Sequence, residues 1–146
     1  MGLVTDLAGQ SVYLDADIFI YALEGHERFA AVLTELFGAI DRGEIRAVTS
    51  ELTLAEVLVK PLMDGNTARQ TAYQQALRNT SSRTVVPIDR AVLLEAAQLR
   101  AATSLRLPDA IHVATARLTG CSAFISNDAR LRAGAGLPVI VMTEIA

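Results

Sequence analysis

Four acids stand out in this chain by their positions: Asp15, Glu56, Asp109 and Asp128, with Asp17 two residues beyond the first. Two carboxylates about 5 Å apart repel by roughly 3 kcal/mol at an effective dielectric near 20. Four gathered in one pocket therefore need a compensating charge to stay ionised. A hard divalent cation, Mg²⁺ or Mn²⁺, meets that need, because such ions take oxygen ligands and keep several waters. A metal so held can bind a phosphodiester oxygen, lower the pKa of a bound water and stabilise a leaving group. One cysteine, Cys121, rules out an internal disulfide and gives no zinc-finger spacing, and two histidines cannot build a three-histidine zinc triad. Cys121 reads as buried filler.

The stretch SVYLDADIFIY (residues 11–21) sets the first acid in place. Val12 to Asp15 reads as a short strand with apolar residues on both faces, the pattern of a central strand in a covered parallel sheet. In open α/β sheets, ligands bind just beyond the carboxyl ends of the strands, where Asp15 and Asp17 stand. The helix beginning there is expected to run from Asp17 to Gly25, with Asp17 as its cap. Glu27 to Arg42 has the rhythm of an amphipathic helix, closed by Gly43. Ile45 to Thr49 predicts a second strand. Ser50 caps the helix that follows, which carries Glu56 and is expected to break or kink at Pro61.

Asn66 to Arg78 is a more polar, peripheral helix by its pattern. Arg83 to Ile88 is a third strand, and Asp89 opens a helix reaching about Arg100. Pro108 and Asp109 start another helix, ended by Gly120. Ala123 to Ser126 is a fourth strand, then come a helical turn and a last strand, Pro138 to Met142. Such alternation predicts a doubly wound α/β domain around a parallel sheet. Residues 1–10 are expected as a loose lead-in and 11–146 as the folded domain.

Each acid also has an ordinary reading. Asp17 and Asp109 suit helix N-termini, Asp128 suits the cap of the turn after it, and Glu56 could lie on an exposed helix face. On a parallel sheet the two strand-end acids share one edge, but Glu56 and Asp109 cannot be placed beside them without the topology. His112 lies one helical turn after Asp109, where it could contact a phosphate, orient a water or simply pack. Ser126 and Asn127 could orient Asp128 or a metal-bound water, or form a plain turn. Arg130 and Arg132 are candidate phosphate contacts.

Charge narrows the function classes. The net charge is −3, with twelve arginines and a single lysine, Lys60. No broad basic surface is available to grip nucleic acid, so any such contact comes from a local patch or from metal. Mean hydropathy is positive, yet no apolar run reaches the length of a membrane span. MGLVTDLAGQ lacks the pattern of a signal peptide. A soluble, cytoplasmic protein without membrane association is expected.

VYLDADIFIY, TSELTLAEVLV, LPDAIHVATA and FISNDARL resemble, in order and spacing, the four acidic motifs of PIN-domain ribonucleases, and in particular the VapC-type toxins of type II toxin–antitoxin pairs. The resemblance runs from about Ser11 to Met142. It implies a single PIN-like domain with a five-stranded parallel sheet flanked by helices. It also implies that Asp15, Glu56, Asp109 and Asp128 converge on Mg²⁺ or Mn²⁺ for RNA cleavage, with a cognate antitoxin and a toxin homodimer as partners. Asp17 departs from the family pattern, where Asn or Ser is more usual, and could bind metal or orient a water.

Two other readings compete. A hydrophobic-Asp-x-Asp strand end also opens the signature of haloacid-dehalogenase-like phosphatases, although those need a lysine and a later acidic pair. A catalytically silent PIN-like binding module is the other.

Overall fold

Strand β1 (Ser11–Leu14) turns Val12 and Leu14 to one side and Tyr13 to the other, and all three are fully buried. Only a strand covered on both faces allows this. In the computed structural model, which describes residues 2–145, β1 is the centre of a five-stranded sheet. Met1 and Ala146, the ends of the expected lead-in and domain, lie outside the described residues. β2 (Arg46–Ser50) and β4 (Ala123–Ser126) flank β1. β3 (Arg83–Val86) and β5 (Val139–Val141) form the edges. The order is β3-β2-β1-β4-β5, and every pairing is parallel. Register places Val12 beside Ala47 and Ala123, and Tyr13 beside Val48 and Phe124.

The two faces build separate cores. Val12, Leu14, Ala47, Val85, Ala123 and Ile125 pack with the buried residues of α1 (Leu3–Leu7), α2 (Ala16–Leu23), α3 (Ala30–Asp41), α4 (Glu51–Asp64), α5 (Thr67–Ala76) and α8 (Met142–Ile145). Tyr13, Val48, Phe124, Val139 and Val141 pack against α6 (Arg90–Ala102) and α7 (Leu107–Leu118). Short 3₁₀ turns occupy Glu27–Phe29 and Ala129–Ala133. No helix among the described residues is long and apolar enough to cross a membrane.

The strand order decides where a site can form. The chain lays down β1, β2 and β3 in one direction, then crosses to the other side of β1 to add β4 and β5. That reversal opens a crevice at the carboxyl ends of β1 and β4, the usual ligand position in open α/β sheets. Asp15 follows β1, and Asp128 comes two residues after β4.

Several local expectations are corrected. The lead-in is not loose: Leu3–Leu7 is helical, and Leu7 is buried with α3 residues in the first core. The Glu27–Arg42 segment begins as a 3₁₀ turn before α3 starts at Ala30. α4 continues through Pro61 to Asp64. Proline costs it one amide donor, but Pro61 is buried and the helix has only one more turn to run before Gly65, at φ 67°, caps it. α5 is less peripheral than its polar sequence implies, because its one large apolar anchor, Tyr73, is fully buried and its hydroxyl donates to Glu24 Oε2 at 2.7 Å.

If α1 is part of the core, Leu7→Ala will lower unfolding free energy by about 2–3 kcal/mol, as for other buried leucines. Urea denaturation measures this. A change below about 0.5 kcal/mol would return the segment to a loose lead-in.

Candidate active site

Asp15 is held from two sides. Its backbone N–H extends the β1–β4 ladder by donating to the Ile125 carbonyl at 3.0 Å. Its Oδ1 accepts the Ala16 amide at 2.8 Å, and its Oδ2 accepts the Ser126 hydroxyl at 2.7 Å. Asp15, not Asp17, is therefore the N-cap of α2. The helix starts one residue earlier than expected because the acid that ends the strand is itself in extended conformation and meets the first free amide.

Asp17, freed from capping, turns back toward β4. Its Oδ2 accepts the Asn127 amide at 2.9 Å and lies 3.4 Å from Ser126 Oγ. Its Oδ1 is buried with no hydrogen-bond partner among the described residues. Burial, and then the neighbouring Asp15 charge, push its carboxyl up to about 7, against which its hydrogen bonds work only in part. Asn127 ties this corner together, donating from Nδ2 to the Tyr21 hydroxyl at 3.2 Å and accepting the Thr143 amide at 3.0 Å. Ser126 Oγ also accepts the Asp128 amide at 3.0 Å.

Asp128 caps the 3₁₀ turn after β4, accepting the Arg130 amide at 3.1 Å. The Arg130 guanidinium grips both its oxygens, with Nε to Oδ1 at 2.9 Å and Nη2 to Oδ2 at 2.7 Å. That grip holds the carboxyl below the usual carboxylate range. Asp109, in the first turn of α7 behind Pro108, is half-buried. Its carboxyl is raised first by burial and then by the charges of Asp15 and Asp128, so the three acids share one field. Asp109 makes no direct side-chain hydrogen bond or ion pair among the described residues.

Glu56 reaches the same site from α4 through His112. His112 is buried in α7, with Nε2 at 2.6 Å from Glu56 Oε1 and at 3.9 Å from Asp15 Oδ1. Its Nδ1 lies 2.6 Å from the Tyr13 hydroxyl. A carboxylate only accepts, so Nε2 carries a proton. Burial alone would lower the imidazole pKa, but the Glu56 hydrogen bond and the charges of Asp15, Glu56 and Asp109 outweigh it, and the net direction is up. With both nitrogens engaged inside the core, His112 is not exposed to a phosphate. It steadies Glu56 from behind.

Tyr13 is the member of this chain that sequence reasoning missed. It stacks on Phe124, with centroids 4.8 Å apart, and burial followed by the Asp15 charge raises its phenol well above the ordinary value. The available signal was a hydroxyl-bearing residue in the middle of an apolar strand, since a buried phenol needs a partner. Other candidates fall away from the acids. Arg132 donates to both oxygens of Glu144 and to the Val139 carbonyl. Lys60 pairs with Asp64 on the exposed side of α4 at 3.5 Å.

The donor set is oxygen-rich, one buried carboxylate oxygen lacks a partner among the described residues, and two acids are pushed up by burial and by the charge of neighbouring carboxylates. These features fit a hard divalent cation. Among the described residues, no three His, Cys, Asp or Glu side chains already form a ready-made metal-ligand group. Ligation would need carboxylate rotation, including release of Asp128 from Arg130.

The PIN domain family model matches residues 12–137, and the chain belongs to that family. No curated protein sequence matches it. The fold is shared with VapBC2 from Rickettsia felis, solved bound to a promoter DNA fragment, at 12% identity and TM-score 0.71, covering 90% of this chain and 98% of that one. VapC20 of Mycobacterium tuberculosis, a sarcin–ricin loop cleaving toxin, is 16% identical with TM-score 0.69, over 86% and 95% of the two chains. FitAcB of Neisseria gonorrhoeae is 19% identical with TM-score 0.66, over 90% and 98%.

The Asp17 carboxyl yields a pH prediction. The unfolded chain loses this proton near the ordinary aspartate value, whereas the native state keeps it up to about 7. Native protein thus holds the extra proton within that window, and the contribution of Asp17 to stability declines as pH rises through it. Asp17→Asn keeps an acceptor for the Asn127 amide and removes the charge. Its Tm at pH 8.5, without divalent metal, should exceed the parent's by about 4 °C or more, with the gain shrinking toward pH 4. A gain independent of pH would contradict the assignment.

Proposed function

We propose that this PIN domain is a Mg²⁺- or Mn²⁺-dependent endoribonuclease, and that it serves as the toxin of a type II toxin–antitoxin pair in the cytoplasm. The observation that carries the reading is the gathering of Asp15, Asp109, Asp128 and the His112-bound Glu56 at the β1–β4 crevice, where Asp109 is raised by burial and by its neighbours' charge. Family membership supports nuclease chemistry at this position.

In this reading Asp15, Asp109 and Asp128 hold the cation, with Glu56 completing the set and Asp17 as a further carboxylate beside it. The ion, when bound, lowers the pKa of a water and offsets charge developing on the phosphate. The protein's own groups do the positioning. Ser126 and the α2 amide fix Asp15. His112, braced by Tyr13, holds Oε1 of Glu56 and leaves Oε2 to orient the attacking water and take its proton. Ser126 also fixes the backbone entry to Asp128.

A partner protein is part of the proposal. Val59, Leu62 and Met63 are exposed on α4, with Val59 and Met63 following Glu56 at helical spacing. An antitoxin segment lying along this apolar stripe would cover the route to Glu56, and homodimerisation follows the same family reading. The phosphatase alternative is less well supported, since the chain's one lysine, Lys60, is exposed and pairs with Asp64, and Asp128 has no acidic neighbour in sequence to complete that signature. A silent binding module is separated by activity alone.

Purified protein should cleave single-stranded RNA in Mg²⁺ or Mn²⁺ and lose cleavage in EDTA. Asp15→Asn and Asp109→Asn should each reduce the rate by about 100-fold or more, at or above the upper range for disturbed metal sites. Equal cleavage by all three proteins, or none with either metal, overturns the ribonuclease assignment.

A further inference from the structure

A cavity of about 310 Å³ opens beside the acids. Ser104, Leu105 and Arg106, just before α7, line one part of it; Arg130 and Leu131, just after β4, line another; Asp109 belongs to its wall. The volume lies at the small end of ligand pockets, about the room for one sugar–phosphate unit. Leu105 and Leu131 are buried and give the cavity an apolar floor, while the two arginines are exposed.

The two arginines still have donors to offer. Arg132, by contrast, is spent on both oxygens of Glu144 and on the Val139 carbonyl, and Arg83 on Asp41 and the Ala76 carbonyl. Arg106 makes no side-chain hydrogen bond or ion pair among the described residues. Arg130 commits only Nε and one hydrogen of Nη2 to Asp128, so three of its five N–H donors are unspent.

We propose that this cavity is a phosphate subsite for the RNA backbone, holding the phosphodiester next to the one being cleaved between Arg106 and Arg130. The inference rests on the ribonuclease reading. A guanidinium offers paired donors to phosphate oxygens, which suits it to this task better than an ammonium group. In a chain of net charge −3, backbone affinity must come from such a local pair rather than from a basic surface. The arrangement also separates two kinds of charge. Acids in the crevice prefer metal, and the adjoining cavity prefers the anion that the metal does not hold. Ser104 adds a hydroxyl within reach of the same cavity.

The test measures binding of a fluorescein-labelled single-stranded RNA to protein carrying Asp15→Asn, without divalent metal, at several NaCl concentrations, and separately the KM of cleavage in the Asp15 background. Adding Arg106→Gln should weaken binding by about tenfold. It should also flatten the slope of log K against log [NaCl] by about 0.7, the value for one single-strand phosphate contact. In the cleavage assay the larger part of its effect should fall on KM. Arg106→Lys should keep the slope, and Ser104→Asp should weaken binding further. Arg46→Gln, at the opposite end of the sheet where β2 begins, is the control and should change neither quantity. If the parent cleaves RNA while Arg106→Gln retains both affinity and slope, the subsite is overturned and the nuclease reading stands. A parent that neither cleaves nor binds RNA overturns both.

Discussion

Like charge crowded into a half-buried crevice is the constraint on which this molecule turns. Most of the acids have been matched by the fold itself. Asp15 is met by the first amide of α2 and by Ser126, Glu56 by the buried His112, and Asp128 by Arg130. Among the described residues, Asp17 and Asp109 have no ion pair, and these two are the carboxyls pushed upward. The deficit is thus local, and it lies at the topological reversal between β1 and β4. Packing gains nothing from such an arrangement, since a buried carboxylate oxygen without a partner is destabilising. A bound cation would remove that penalty, and this is the physical ground for the metal-dependent reading proposed for the site.

The Tyr13–His112–Glu56 chain extends that logic into the core. Tyr13 is on the central strand, His112 on α7 and Glu56 on α4, so one polar thread joins three elements that carry or border the site. Nearby, Thr49 and Thr53 share a 2.7 Å hydroxyl contact, and Thr49 donates to the Leu14 carbonyl at 2.8 Å. Among the described residues, every buried side-chain polar atom of this inlay has a partner, which is the condition for a buried network to specify geometry rather than weaken the core. Its effect is to make the position of an exposed glutamate depend on buried groups.

Much of the architecture was legible because local signals agreed. Ala123–Ser126 is a strand over the same residues that sequence reading gave it, Ser50 and Asp89 cap the helices they precede, and the alternation of elements implied a parallel sheet. What was hidden depends on long-range relations. Whether Glu56 and Asp109 meet Asp15 turns on the crossover after β3, which leaves no trace in periodicity. The capping role passed from Asp17 to Asp15 because helix starts are uncertain by one or two residues, and here a two-residue shift of the cap changes which carboxylate is left unsatisfied. The lead-in looked loose because five helical residues carry too little pattern to outweigh their position, yet Leu7 has a place in the core. Arg106 gave no signal, since its meaning comes from the cavity it borders.

The central claim is that the crevice acids are arranged for a cation, and thermal unfolding against divalent concentration tests it without any appeal to catalysis. At pH 8, Tm should climb with log [Mg²⁺] beyond that in NaCl of equal ionic strength, because an ion that binds only the native state adds about 2.7 kcal/mol at one hundred times its Kd. The rise should disappear in Asp109→Asn. A parent protein whose Tm in Mg²⁺ and in Mn²⁺ simply follows the matched NaCl series would contradict the account.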